Sequence, residues 1–283
     1  MSHVSPDFAD QFARALDGTI FAGKLRTFPV IDSTNLLAMR EAAEGAPHGT
    51  VYIADQQTAG RGRGAHTWHS EPNAGLYLSI LLRPQSILSP ADALWFSLAT
   101  GLAVQRAVEE STSLIADIRW PNDLLLNGKK FCGILTEMNA EPTRVRFAVI
   151  GIGINVNHAT FPPELRDLAT SLRSVSGQPW DRAAILQALM HSIEKEIAPL
   201  LSPGGVPPAS ESILERMKTK STWIHGKTVE VDEAEGYTGV TAGLDARGFL
   251  QVQTAQGMRT VLSGGVRERR NNQLPNDQPS GSR

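Results

Sequence analysis

A single cysteine, Cys132, occurs in the whole chain, which excludes an internal disulfide and any zinc cluster built on thiolates. It sits in an apolar run and reads as a small buried residue. No apolar run approaches the ~18 residues needed to cross a membrane. The segment from Met1 to Pro6 also lacks the basic-then-apolar pattern of a secretory signal. A soluble, cytoplasmic protein is expected. An excess of one charge is missing too: 27 Lys and Arg against 29 Asp and Glu leave a net charge of −2. A sequence-independent grip on nucleic acid therefore has no global electrostatic support. The seven histidines show no metal-ligand spacing. What remains is an ordinary globular balance, 41% hydrophobic and 20% charged over 283 residues, enough for one substantial core and a small second domain.

Strands are expected at 51–56 and 75–83, the second with Leu76, Leu78, Ile80 and Leu82 on one face. Ser89-Pro90 with Asp92 predicts a helix start, and helical spacing runs from Leu94 to about Glu110. A strand follows from Arg144 to Ile154. Asp181 can cap a second helix striped by Ile185, Leu186, Leu189, Ile193, Ile197 and Leu200. Ser202 to Pro208 breaks it, ahead of a short helix over 210–218. After Trp223 alternating valines and frequent glycines predict a small all-β unit to about Val266, and the tail 271–283 is polar and expected to be disordered. The mixture lacks a βαβ rhythm, so an α+β class is expected.

The segment Asp117-Ile-Arg-Trp-Pro-Asn-Asp-Leu-Leu-Leu-Asn-Gly-Lys-Lys-Phe-Cys-Gly-Ile-Leu-Thr-Glu137 is the most informative stretch. Asn127-Gly128 between apolar runs is a strong hairpin signal, because both central residues need positive φ. It brings Lys129 and Lys130 close to Asn122 and Asp123, a pairing suited to handling an anion. Alone, Lys130 reads more readily as an exposed hairpin lysine, and Lys129 keeps that reading. A matching feature is Gln57-Thr-Ala-Gly-Arg-Gly-Arg-Gly-Ala-His-Thr-Trp68. Its alternating glycines suit neither helix nor strand and allow close backbone approach to a ligand. Arg61 and Arg63 add fixed positive charge with bidentate geometry, and Trp68 a flat aromatic face. A flexible solvated basic loop accounts for the run equally well. An RGG-type nucleic-acid segment does not, since the pattern never repeats. Gly151-Ile-Gly-Ile-Asn155 lacks the third glycine and following helix of a dinucleotide fingerprint.

Together the run 57–68, Arg119-Trp-Pro-Asn-Asp123 with Lys130, Ile31-Asp-Ser-Thr-Asn35 and Gly151-Ile-Gly-Ile-Asn155 resemble biotin protein ligases. The blocks stand in that family's order across roughly residues 30 to 160. The chain departs from many members after Arg63, where Gly64-Ala65-His66 replace further basic residues, so roles of later loop arginines do not carry over. The resemblance implies a catalytic domain related to class II aminoacyl-tRNA synthetases over 26–220, an SH3-like β-barrel over 221–270 and an N-terminal extension over 1–25. Only that short extension precedes the first block, so a ligase-only type without the DNA-binding domain is expected. It also implies ATP-dependent activation of biotin as biotinyl-5′-AMP and transfer to a lysine of a biotin carboxyl carrier protein, with no nucleic acid and no membrane; a homodimer stays open.

By the same resemblance, Lys130 contacts the carboxyl of biotin and the adenylate linkage, and Arg63 shares the catalytic role. Ser33, Thr34, Asn35, Gln57, Gly60, Arg61, Gly62 and Gly133 join them in binding biotin; Ser33 or Thr34 also suits a helix cap. Arg61, Arg63, Trp68, Asn122, Asp123, Lys130 and Asn155 are assigned to ATP, with Trp68 against adenine and Asp123 as a ligand of Mg²⁺. Two alternatives remain: a lipoate or octanoyl transfer enzyme of the same fold, and a non-catalytic biotin or nucleotide sensor.

Overall fold

The computed structural model describes residues 6–64, 66–84, 88–204, 206–233, 235–262 and 264–269. In chain order these form α1 (Pro6–Arg14), β1 (Leu25–Ile31), α2 (Thr34–Ala43), β2 (Val51–Gln57) and β3 (Gly75–Leu82). A 3₁₀ turn over Pro90–Asp92 leads into α3 (Ala93–Thr112), followed by β4 (Asp117–Arg119), β5 (Asp123–Leu126), β6 (Lys129–Glu141) and β7 (Arg144–Asn155). Then come α4 (Leu172–Ser176), α5 (Arg182–Leu201) and α6 (Val206–Lys220). The chain closes with β8 (His225–Asp232), β9 (Tyr237–Leu244), β10 (Leu250–Thr254), β11 (Gly257–Val261) and β12 (Gly265–Glu268).

Two sheets result, and the class is α+β as expected. The larger has the order β1-β2-β3-β7-β6-β5-β4; β1 and β2 run parallel and the other pairs antiparallel. The smaller is wholly antiparallel, in the order β11-β10-β9-β8-β12. Strand β3 is buried on both faces. Leu76, Leu78, Ile80 and Leu82 join α3 and α5 in the main core, while Leu81 meets Leu37 and Ala38 of α2 on the other side. The predicted alternation is real, but a helix covers each face.

The caps behave as their residue types require. Ser89 donates its N–H and its hydroxyl to the Asp92 carboxylate, at 3.0 and 2.8 Å, at the start of the 3₁₀ turn, and the Asp181 carboxylate accepts from the Ala183 N–H at 2.8 Å. Helix α6 begins at Val206 instead of 210, because Pro207 and Pro208 fit a first turn whose N–H groups have no helical partner. The expected break therefore shrinks. The main core runs without interruption from the large sheet into Val229, Val231, Leu250 and Val252 of the small one. Trp120 Nε1–H donates to the Gly248 carbonyl at 3.0 Å across that junction. Among the described residues no helix is long and apolar enough to cross a membrane. The tail 271–283 lies outside the described residues.

Candidate active site

The Asn127–Gly128 turn forms as predicted, with φ of 50° and 76° at its two residues. It pairs Leu125 with Lys130 and Asp123 with Gly133. Lys130 Nζ then stands 2.6 Å from Asp123 Oδ1. Arg119, opposite Asp123 across the β4–β5 ladder, donates to Oδ2 at 2.5 Å. Burial pushes the Asp123 carboxyl up, but Lys130 and Arg119 together outweigh it and hold the group below its ordinary value. Lys129 points elsewhere: its Nζ donates to the Arg166 carbonyl at 2.9 Å.

Both Asp123 oxygens are thus taken by cations. A divalent ion bound there would face Lys130 and Arg119 directly, so Asp123 does not fit the role of a Mg²⁺ ligand expected from the sequence.

A polar cluster lies at the opposite end of the same cavity. Ser33 caps α2, its hydroxyl accepting from Leu36 N–H. The Thr34 N–H and hydroxyl both donate to Gln57 Oε1, at 2.9 and 3.1 Å. Ser79 Oγ lies 2.8 Å from Thr34 Oγ1 and 2.5 Å from Asn35 Oδ1. Asn35 Nδ2 donates to Glu137 at 3.0 Å, and Glu137 in turn pairs with Arg61 at 3.1 Å. The cluster offers donors and acceptors from a helix N-terminus and the end of β2, suited to a neutral group with both functions.

Between these ends the floor is made of glycines. Gly133 and Gly153 are cross-strand partners on β6 and β7, and the Trp68 indole lies against them. A Cβ on Gly153 would stand 2.4 Å from Trp68 Cε2, and one on Gly133 would stand 2.7 Å from Cζ3. Gly151 makes room for Asn35 in the same way, at 2.2 Å from Oδ1. The Gly151-x-Gly153 pattern therefore serves close packing on a strand. Lys130 Nζ sits 5.4 Å from the Trp68 ring centre. Among the described residues Trp68 Nε1 is buried with no hydrogen-bond partner, a donor available to a ligand.

The arms of this loop, 60–64 and 66–68, pair with each other over this floor. Gly62 N–H donates to the His66 carbonyl at 2.8 Å and Trp68 N–H to Gly60 at 2.8 Å. Arg63 reaches Asn122 Oδ1 at 3.3 Å, and burial pulls its guanidinium below the usual arginine range, against an opposing pull from Asp123. Beneath the loop lies a small cavity of about 40 Å³ that is open to solvent, below the roughly 300–1,000 Å³ of small-molecule sites, so a nucleotide-sized ligand needs the loop to move.

Of the residues predicted for the site, Ser33, Thr34, Asn35, Gln57, Arg61, Gly62, Arg63, Trp68, Asn122, Lys130 and Gly133 all line the cavity. Asp123 reaches it through Lys130. Two do not line it. Asn155 is buried, with its amide donating to the Thr170 carbonyl at 3.0 Å. Gly60 lies at the loop base, where a Cβ would meet the Trp68 carbonyl at 2.6 Å. Ser79, Arg119 and Glu137 were not anticipated. Only Ser79 carried a signal, as a polar residue inside an otherwise apolar strand. The histidines show no metal-ligand spacing along the sequence, yet the fold brings His69 and His158 together with Glu71 outside the cavity.

A family model described as the biotin/lipoate A/B protein ligase family matches residues 27–155. The bifunctional ligase/repressor BirA of Bacillus spizizenii is 38% identical over 240 residues, covering 84% of this chain and 71% of that protein. The biotin–[acetyl-CoA-carboxylase] ligase of Mycobacterium tuberculosis is 34% identical over 242 residues, covering 82% and 84%. Among solved structures, the biotin protein ligase from Aquifex aeolicus in complex with biotin and ATP superposes with a TM-score of 0.74 at 30% identity, covering 87% of this chain and all of that one. With the cavity's polar and cationic ends built from the matched blocks, the chain belongs to the biotin/lipoate A/B protein ligase family, within its biotin protein ligases.

Proposed function

We propose that the protein is an ATP-dependent ligase that activates biotin as biotinyl-5′-AMP and transfers it to a lysine of a biotin carboxyl carrier protein. The observation that carries this reading is the two-ended cavity. A donor–acceptor cluster at Thr34, Asn35 and Gln57 suits the ureido ring of biotin, and Lys130 with Arg61 and Arg63 suits its carboxylate and the adenylate phosphate.

In the first half-reaction a carboxylate oxygen of biotin attacks the α-phosphorus of ATP, and pyrophosphate leaves with the electrons of the broken P–O bond. In the second, a neutral lysine amine of the carrier attacks the mixed anhydride, AMP leaves and the amine loses a proton. Both steps gather or release anions. Catalysis rests on positioning and charge neutralisation, and no protein nucleophile is needed. Lys130 holds the carboxylate and the α-phosphate against one another; Asp123 fixes its ammonium. A Mg²⁺ ion brought with the nucleotide would supply further neutralisation of phosphate charge. The two sheets support an assignment of 26–220 as a catalytic domain of the class II synthetase type and 221–270 as an SH3-like unit.

Incubation with ATP and biotin, lipoate or octanoate in turn, with pyrophosphate measured, tests the reading. Pyrophosphate released with biotin alone supports it. Release with lipoate or octanoate in preference to biotin favours the lipoate branch of the family, and binding of biotin without pyrophosphate indicates a sensor.

A further inference from the structure

Just past Trp68 the chain assembles a second group of side chains that the ligase reaction does not use. One ring nitrogen each of His69 and His158 and one carboxylate oxygen of Glu71 all lie within 4.8 Å of one another. His158 is fully buried and stacked on Phe161, with ring centres 5.2 Å apart and planes 8° from parallel. Its backbone is fixed as well, because its carbonyl accepts from Ser171 Oγ at 2.7 Å and Ser174 Oγ at 3.1 Å.

The hydrogen-bond network assigns the tautomer of this ring. Tyr77 Oη donates its one hydrogen to the Glu71 carbonyl at 3.0 Å and lies 3.1 Å from His158 Nε2. With that hydrogen committed, Nε2 must carry the proton in their contact, which leaves Nδ1 with a bare lone pair. Nδ1 is buried and has no hydrogen-bond partner among the described residues. A ring held by an outer hydrogen bond at Nε2, with Nδ1 left as a bare lone pair, and offering one nitrogen within 4.8 Å of a second imidazole and a carboxylate, has the donor types of a divalent transition-metal site.

We propose that His69, Glu71 and His158 bind a Zn²⁺ ion, or a divalent transition metal like it, with a fourth position open to water. Zinc bonds of about 2.0–2.2 Å place tetrahedral ligand atoms about 3.4 Å apart. The partly exposed His69 and Glu71 close to that spacing by turning about their side-chain bonds, toward a His158 that packing holds still. Two nitrogen donors select zinc over Mg²⁺, which takes oxygen ligands. The ion would tie residues 69–71, at the end of the loop over the cavity, to residue 158 beyond the end of β7.

Equilibrium dialysis of chelator-treated protein against ZnCl₂ or MgCl₂, with metal analysis, tests this directly. One zinc per chain is expected at about 10 µM free Zn²⁺ with no comparable uptake of Mg²⁺. His69→Ala and Glu71→Gln should each weaken zinc binding by at least about tenfold. Zinc should also raise the melting temperature of the wild type more than that of either variant. Both variants change partly exposed positions, and circular dichroism checks that each is folded. Failure to take up zinc, or equal uptake by wild type, His69→Ala and Glu71→Gln, overturns the site.

Discussion

Replacing Lys130 by alanine deletes an ammonium 2.6 Å from Asp123 Oδ1 and 5.4 Å from the Trp68 ring centre. The fold should tolerate it. The Lys130 backbone keeps its bonds to Leu168 and Thr170, both 2.9 Å, and Asp123 keeps Arg119 at 2.5 Å. The loss is then one partly buried ion pair, roughly 1–3 kcal/mol, against a typical total stability of about 5–15 kcal/mol. Catalysis should suffer far more. A positioned charge that stabilises developing negative charge contributes about 10²–10³ in rate, or roughly 2.7–4 kcal/mol. Biotin-dependent exchange of labelled pyrophosphate into ATP measures the first half-reaction, and circular dichroism with a thermal melt reports the fold. Lys130→Arg keeps the charge but not the compact ammonium, and should fall between wild type and alanine. A folded Lys130→Ala protein whose exchange rate stays within about threefold of wild type, under 1 kcal/mol, refutes the assignment.

Trypsin should cut wild-type protein at Arg61 or Arg63, because the loop over a cavity of about 40 Å³ must move to admit the nucleotide; biotin with ATP should suppress that cleavage, and equal cutting in both states counts against ligand-coupled closure. Gly151→Ala places a Cβ 2.2 Å from Asn35 Oδ1, so Asn35 must leave its bonds to Ser79 and Glu137. KM for biotin should rise about ten- to a hundredfold, from about 1–3 kcal/mol of lost polar contact, and an unchanged KM contradicts this placement. The lowered carboxyl of Asp123 sets a pH dependence. Between its folded value and an unfolded value of about 3.9 the unfolded state binds more protons, so stability rises with pH there. That contribution is fully present above the unfolded value and is lost as pH falls through the folded one. Urea midpoints should therefore fall less steeply with acid in Asp123→Asn than in wild type, and matching slopes would remove Asp123 from the acid response.

The parts of this molecule legible in the sequence are those set by neighbours along the chain. Asn127–Gly128 could be read because a positive-φ pair between apolar runs has few other uses, and Ser89, Asp92 and Asp181 because caps act within one turn. Longer-range pairing hid the rest. The contact of Gly133 with Gly153 depends on the β6–β7 register, so nothing local marked the pair as the bed for Trp68. Arg119 meets both Asp123 and the Trp223 ring only because β4 folds back on β5 and the small sheet docks nearby. His69 and His158 lie far apart in sequence, so spacing could not announce them. The strand β1 passed unnoticed because Pro29 and two charged or polar positions interrupt its pattern, although its parallel pairing with β2 carries the chain into the Ser33 cap.

The charge arrangement separates the cations of the site into two kinds. Lys130 and Arg119 already share the Asp123 carboxylate, and Arg61 already pairs with Glu137. An arriving anion must compete with those carboxylates, and it gains position from them more than raw attraction. Arg63 differs. Its hydrogen-bond partner is the neutral Asn122 at 3.3 Å, and burial penalises its charge. A desolvated guanidinium facing a neutral acceptor gains the most when a phosphate or carboxylate takes that acceptor's place. Closure over an anion is thus favoured most at Arg63, while Glu137, bonded to both Arg61 and Asn35, links the same loop to the polar end of the cavity. One carboxylate thereby holds both an arginine of the loop and a carboxamide of the polar end.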